Sequence, residues 1–194
     1  MQKIGVLALQ GDFAEHIDAL AQNGVKIVEV RCVPDLQKCK FLIIPGGEST
    51  TIGKLLKMTG LDFEIQKRFN EGSLKVWGTC AGAILCASKI ETKTPVNQLG
   101  LGDYSISRNA YGNQLDSFET ELKFRDFKVK AAFIRAPKIT GFDSNFKVLA
   151  EHNNEPIFIH KGNLLVSTCH PELYANRKFY EWLLGAFLGM DLNL

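Results

Sequence analysis

The stretch VWGTCAGAILCA, Val76–Ala87, sets Cys80 among small residues, with Gly78 and Thr79 before it and Ala81 and Gly82 after it. The apolar residues on either side read as a strand arriving and a helix leaving, so Cys80 falls on the sharp turn between them. A turn of that kind strains the backbone at its apex and leaves no room for side chains beside it. Gly-x-Cys-x-Gly is the cysteine form of a nucleophile elbow. Amides and a positive dipole end at the start of the following helix lower a thiol pKa. The Ala81 amide is placed to donate to an oxyanion. A buried structural cysteine in a Gly-rich turn fits the same residues, so the rest of the chain must decide.

A second cluster lies in Ser167-Thr168-Cys169-His170-Pro171-Glu172. Pro171 disfavours helix at His170, so the segment reads as extended or turn-like. Residues two apart in an extended segment project to one side. His170 and Glu172 can then hydrogen-bond, the carboxylate fixing the imidazole tautomer and supporting its cation, which is the base and orienting half of a triad. The remaining histidines have weaker claims. His16 falls in a helix and His152 and His160 lie near turns, where structural or solvated roles are expected. Cys32, Cys39, Cys86 and Cys169 are assigned to packing.

Phe41–Thr50, FLIIPGGEST, leads from a strand into a helix, and Gly53-Lys54 further on invites a phosphate-loop reading. The spacing between Gly47 and Gly53 is one residue too long, Leu55 stands where the metal-binding hydroxyl belongs, and Glu48 would repel phosphate. The glycines instead bring backbone amides close to a ligand. Gly47 becomes a second oxyanion donor beside Ala81, and Glu48 an acceptor for an ammonium group. A plain strand-to-helix turn with a Ser or Thr cap is the alternative.

The elements that must position these groups alternate. Strand-like runs at Ile4–Leu9, Lys26–Val30, Phe41–Pro45 and Lys75–Gly78 are short, apolar and suited to burial on both faces. Helical patterns fall at Phe13–Gln22, Thr50–Met58, Asp62–Asn70 and Ala83–Lys89. This order predicts an α/β fold with an open, mostly parallel sheet flanked by helices. From about Asp103 the texture changes to shorter strands, Phe118–Phe124, Val129–Ile134, Phe146–Glu151 and Pro156–His160. A hairpin turn at Lys161-Gly162-Asn163 leads into Leu164–Thr168, and an apolar helix closes at Lys178–Leu188.

A chain of 194 residues with net charge +2 is read as a single domain, 1–194, with no bias toward nucleic acid or membrane surfaces. Five cysteines, none in C-x-x-C spacing, point away from zinc and disulfides and toward a reducing compartment. No apolar run approaches a membrane span and the first residues do not read as a signal peptide. The expectation is a cytoplasmic enzyme without metal or organic cofactor.

Taken together, these residues resemble the class I, triad-type glutamine amidotransferases. GVLALQGDFAEH at Gly5–His16, PGGEST at Pro45–Thr50, GTCAGAI at Gly78–Ile84, RNAYGNQ at Arg108–Gln114, FIRAP at Phe133–Pro137 and CHPE at Cys169–Glu172 are similar to one family within that class. It is the glutaminase subunit of the glutamine-dependent pyridoxal 5′-phosphate synthase, and its motifs span nearly the whole chain in order. Cys169 and Leu173-Tyr174 depart from the Phe and Leu-Thr such sequences commonly carry.

The resemblance implies an amidotransferase-type, flavodoxin-like fold, with Cys80 as nucleophile and His170 and Glu172 completing the triad. L-Glutamine would be held by Gly47, Glu48 and Ser49, by Arg108, and by Ile134 and Arg135; on the sequence alone both arginines read as solvated charges. It further implies transfer of ammonia to a (β/α)₈-barrel synthase subunit in a large hetero-oligomer, with the Gln10-Gly11 loop and the Gly46-Gly47 peptide as points of activation. The competing readings are a glutaminase serving another synthase, a related α/β cysteine hydrolase, and a regulatory module on an inactive amidotransferase scaffold.

Overall fold

A computed structural model describes residues 3–108, 117–174 and 176–189. The first half alternates as expected: β1 (Ile4–Leu7), α1 (Phe13–Ala21), β2 (Ile27–Val30), α2 (Val33–Leu36), β3 (Phe41–Ile44), α3 (Ser49–Thr59), α4 (Leu61–Asn70), β4 (Lys75–Thr79) and α5 (Ala81–Cys86). Eight strands follow: β5 (Ala87–Glu91), β6 (Gly102–Ser107), β7 (Phe118–Phe124), β8 (Phe127–Phe133), β9 (Lys138–Phe142), β10 (Lys147–His152), β11 (Glu155–Lys161) and β12 (Leu164–Ser167). The chain then makes a 3₁₀ turn at Pro171–Leu173, α6 (Arg177–Trp182) and a π-helical turn at Leu183–Phe187.

The main sheet has the order β10-β11-β12-β4-β3-β1-β2. Its centre, β12, β4, β3, β1 and β2, is parallel, and the antiparallel β11 and β10 extend one edge. Alternating side chains of these apolar strands feed two cores. Leu42, Ile44 and Val76 pack with Ile52, Leu56 and Ile65 of α3 and α4 on one face. Phe41, Ile43 and Trp77 pack with Leu20 of α1, Phe124 and Val129 of the β7–β8 hairpin, and Phe179 of α6 on the other. Two smaller sheets, β5-β6-β9 and β7-β8, lie outside the main one.

Three expectations need correction. The helix assigned to Ala83–Lys89 stops at Cys86, because Ala87 turns extended (ψ 145°) and the next residues pair with β6. The change to short strands therefore begins at Ala87 and not near Asp103. Strands β6 and β9 and the single-turn α2 were not anticipated, although Gly102, Tyr104 and Ile106 alternate inward as a half-buried strand should. The hairpin at Gly162 (φ 56°) is present, joining β11 to β12. Cys39, Cys86 and Cys169 are buried, but Cys32 is exposed, its thiol donating to Asp35 Oδ2 at 3.1 Å ahead of α2, so packing does not account for it. No helix among the described residues is long and apolar enough to cross a membrane.

Candidate active site

Cys80 occupies the apex between β4 and α5 with φ 46° and ψ −101°, left-handed backbone that a non-glycine residue adopts only under constraint. The constraint is visible in its neighbours. A Cβ on Gly82 would come within 2.0 Å of Ile44 O, and one on Gly78 within 2.7 Å of the Gly82 backbone. Helix α5 therefore lies directly on the ends of β3 and β4, and only glycine permits that approach. The Cys80 amide donates to Ser167 O on the adjacent strand β12 at 2.9 Å. The side chain ends up nearly buried, 8 % exposed.

His170 sits just past β12. It exchanges backbone hydrogen bonds with Ala132 of β8, at 2.8 Å and 3.2 Å, an isolated bridge that fixes the residue in extended form. Pro171 then starts a 3₁₀ turn. Of the two conformations expected, extended or turn-like, the segment past His170 takes the turn, which brings the carboxylate back. The pairing is made, with Nδ1 of His170 2.8 Å from Oε1 of Glu172. The Cys80 thiol acts on the His170 ring from the elbow, raising its pKa, and thiol, imidazole and carboxylate are all buried.

Burial opposes a charge on His170, but the nearby Cys80 thiol and the hydrogen-bonded Glu172 carboxylate outweigh it and hold the imidazole well above its ordinary value. Burial would likewise push Glu172 up. The His16 and His170 rings against it reverse that, and the carboxyl is held below its ordinary range. The site therefore favours a charged imidazole facing the sulfur.

Two residues outside the sequence-based set join this cluster. Asp12 Oδ2 is 3.6 Å from His170 Nδ1, and burial raises its pKa. His16, read from the sequence as structural, is fully buried with Nε2 3.4 Å from Glu172 Oε1 and 3.1 Å from Thr79 Oγ1. The signal was available: His16, Ala19 and Leu20 recur at helical spacing on the buried face of α1. Ligand atoms of Asp12, His170 and Glu172 lie within 4.8 Å of one another, the arrangement among the described residues best suited to hold a cation. The shared Nδ1 already faces Glu172, which leaves that set without a free nitrogen.

The loop after β3 forms the opposite wall. A Cβ on Gly46 would fall 2.5 Å from His170 Cε1, so the loop passes directly under the imidazole. Gly47 has φ 141° and packs against Gly11, while the Glu48 amide donates to Gln10 Oε1 at 2.9 Å. The Glu48 side chain caps α3. It accepts from the Thr50 amide at 3.0 Å, the Thr51 amide at 2.7 Å and the Thr51 hydroxyl at 2.8 Å. Despite the opposing effect of partial burial, these bonds bring its pKa to about 2. The helix end is thus closed by a carboxylate, which explains why this loop cannot cradle phosphate. Glu48 also pairs with Arg108, whose guanidinium donates to Glu48 Oε1 at 3.1 Å and to Thr50 Oγ1 at 3.2 Å. Its carboxylate is already engaged, contrary to the expectation of an open acceptor for ammonium.

Gly47, Glu48, Ser49, Cys80, Ala81, Arg108, Ile134 and Arg135 line a single cleft together with Ile84. Every residue assigned from the sequence to oxyanion or glutamine binding is therefore in one place, and only Ile84 was not foreseen. Arg135 has φ 47°, a strained non-glycine position in this wall. Asn109–Gln114 of the RNAYGNQ motif lie outside the described residues. A larger cavity of about 500 Å³, bordered by Lys75, Arg125, Lys147 and His160, is lined by no cysteine, serine or threonine. Size alone does not mark the reactive cleft.

The solved structures that this chain resembles include glutamine amidotransferases. One described as a glutamine amidotransferase matches with TM-score 0.91 and 41% identity, over 96% of this chain and 99% of that one. A GMP synthase subunit from Thermoplasma acidophilum shares the fold at TM-score 0.70 and 16% identity, over 97% of this chain and 95% of that one. The chain belongs to the SNO glutamine amidotransferase family, whose family model matches residues 6–188. Among curated relatives, the pyridoxal 5′-phosphate synthase subunit PdxT of Pseudothermotoga lettingae is 45% identical, over 93% of both chains. That of Thermus thermophilus is 43% identical, over 93% of this chain and 95% of its own.

Proposed function

We propose that this chain is the glutaminase subunit of a pyridoxal 5′-phosphate synthase, hydrolysing L-glutamine to L-glutamate and ammonia through a γ-glutamyl thioester. The observation that carries the chemistry is the His170–Glu172 pair at 2.8 Å beside Cys80, which lines one cleft with Arg108. The assignment to this synthase over other amidotransferases rests on relatives of 45% and 43% identity over almost the full chain, against 16% for the GMP synthase subunit.

The Cys80 thiolate attacks the side-chain carboxamide carbon. Amides of Gly47 and Ala81 receive the oxyanion, one such donor contributing about 3 kcal/mol to the transition state. His170, charged in the resting pair, gives its proton to the departing nitrogen, and ammonia leaves. The neutral imidazole then takes a proton from water, which cleaves the thioester and releases glutamate. Arg108 binds the α-carboxylate of glutamine, for which a guanidinium is well matched. Glu48 holds that guanidinium in place while capping α3, and Ser49, Ile134 and Arg135 complete the walls. The triad needs neither metal nor organic cofactor.

Ammonia released into water would be protonated and lost as a nucleophile, so the product passes directly to a (β/α)₈-barrel synthase subunit within a hetero-oligomer. The Gln10-Gly11 loop, packed on Gly46-Gly47 and holding the Glu48 amide, is the segment such a partner would adjust. The test is pyridoxal phosphate formation from ribose 5-phosphate and glyceraldehyde 3-phosphate by the synthase subunit, with glutamine as nitrogen source. The reading requires that formation depend on this chain and that ammonium salts bypass it. Formation from glutamine without this chain, or glutamine turnover here that supports no such synthesis, would contradict it.

A further inference from the structure

We propose that His16 is a positioning residue for the reaction, its neutral imidazole donating Nε2–H to Glu172 Oε1 and so holding the carboxylate that orients His170. The inference rests on the glutaminase reading for the role of the triad, but its geometry is independent of the substrate. His16 Nε2 faces two oxygens, Thr79 Oγ1 at 3.1 Å and Glu172 Oε1 at 3.4 Å. Were Nε2 unprotonated, its lone pair would be set against a buried carboxylate, an arrangement the site could not sustain. With the proton on Nε2 both oxygens become acceptors. Nδ1 is then a bare acceptor, consistent with its burial without any partner. An orphaned acceptor is tolerated more readily than an orphaned N–H.

The surroundings fix the ring. It stands edge-on to Trp77 with centroids 5.3 Å apart, and both Trp77 and Thr79 belong to β4, the strand that ends at the nucleophile. Burial keeps the imidazole below its ordinary pKa, so it acts as a donor and not as a cation. Glu172 Oε1 is hydrogen-bonded to His170 at 2.8 Å and lies 3.4 Å from His16 Nε2, while Oε2 has no partner among the described residues. Without His16, His170 alone remains to hold the carboxyl and keep it ionised. The other titratable groups acting on it are Asp12 ahead of α1, Cys169 and His170 on its own segment, and Tyr180 from α6, while Glu15 acts on His16 and Cys80 on His170.

The experiment is alkylation of Cys80 by iodoacetamide as a function of pH, in the full chain and in the H16L and H16Q variants. This readout needs neither glutamine nor the synthase, so it can fail while the glutaminase reading stands, and the reverse. Loss of the donor lets Glu172 protonate at higher pH, which weakens the charged imidazole and the thiolate beside it. H16L should therefore shift the alkylation profile to higher pH and slow the reaction near neutrality by roughly tenfold, the loss expected for one hydrogen bond to a charged group. H16Q, whose amide nitrogen reaches the same point, should restore the profile. A wild-type profile in H16L, or an H16Q variant as impaired as H16L, would overturn the proposal. If either variant fails to fold, the ¹⁵N NMR shifts of the His16 ring in the unaltered chain decide: protonated Nε2 with bare Nδ1 is required, and the opposite tautomer or a charged ring refutes it.

Discussion

Thr79 of β4 stands directly opposite Ser167 of β12 in parallel register. Cys80, one residue beyond the first, and His170, three beyond the second, therefore leave the sheet side by side. The Cys80 amide bonded to Ser167 O and the Trp77 indole bonded to Ser167 Oγ at 3.1 Å lock that register. Residues ninety apart in sequence meet because two strands end at the same level, which is where ligands bind in open parallel sheets. Every further property of the site depends on this alignment.

Replacing Gly82 with alanine tests the fit behind it. The new Cβ would sit 2.0 Å from Ile44 O, and backbone cannot yield there without displacing β3 from α5. We expect a loss of about 1–3 kcal/mol, as for overpacking a tight core, seen as a lower urea midpoint, together with loss of Cys80 reactivity. An unchanged midpoint would show that the close contact is not real.

Glu48→Ala removes a helix cap and the anchor of Arg108 in one step. Stability should fall by about 1 kcal/mol, the usual cost of losing an N-cap. The KM for glutamine should rise more than kcat falls, because the affected group binds substrate and does not react. A selective loss of kcat with unchanged KM would place Glu48 in the chemistry itself.

The coupled charges make stability depend on pH, with opposite signs. His170 is raised above its ordinary 6.5, so its contribution is complete below that value and is lost as pH climbs through the folded value. Glu172 is lowered from 4.5, so its contribution is complete above that value and is lost as pH falls through the folded value. Urea midpoints should therefore decline as pH rises above about 6.5 more steeply in the native chain than in H170N. Parallel declines would argue against a charged His170 in the folded state.

The α/β order, the elbow and the base with its carboxylate were legible because each rests on local rules: apolar runs, small residues at a tight turn, and a proline after a histidine. Arg108 and Arg135 were legible only through resemblance, since nothing local to either predicts a wall shared with Cys80. The roles of His16 and Glu48 were missed for a related reason. A helix position tells that a side chain is buried but not that a carboxylate from the far end of the chain waits behind it. A loop sequence tells that a glutamate is near a helix start but not that two threonine amides and an arginine will claim it. Strands β5, β6 and β9 escaped because their pairing joins segments distant in sequence, and side-chain alternation over a few residues is a weak local signal.

The most direct test of the account is to quench the chain in acid during glutamine turnover with its synthase partner and to locate the covalent intermediate by peptide mass mapping. A γ-glutamyl group on Cys80 is predicted, together with no glutamine hydrolysis by Cys80→Ser even though the synthase still uses ammonium with that variant present. Hydrolysis retained by Cys80→Ser, or an acyl group carried by any other residue, would contradict it.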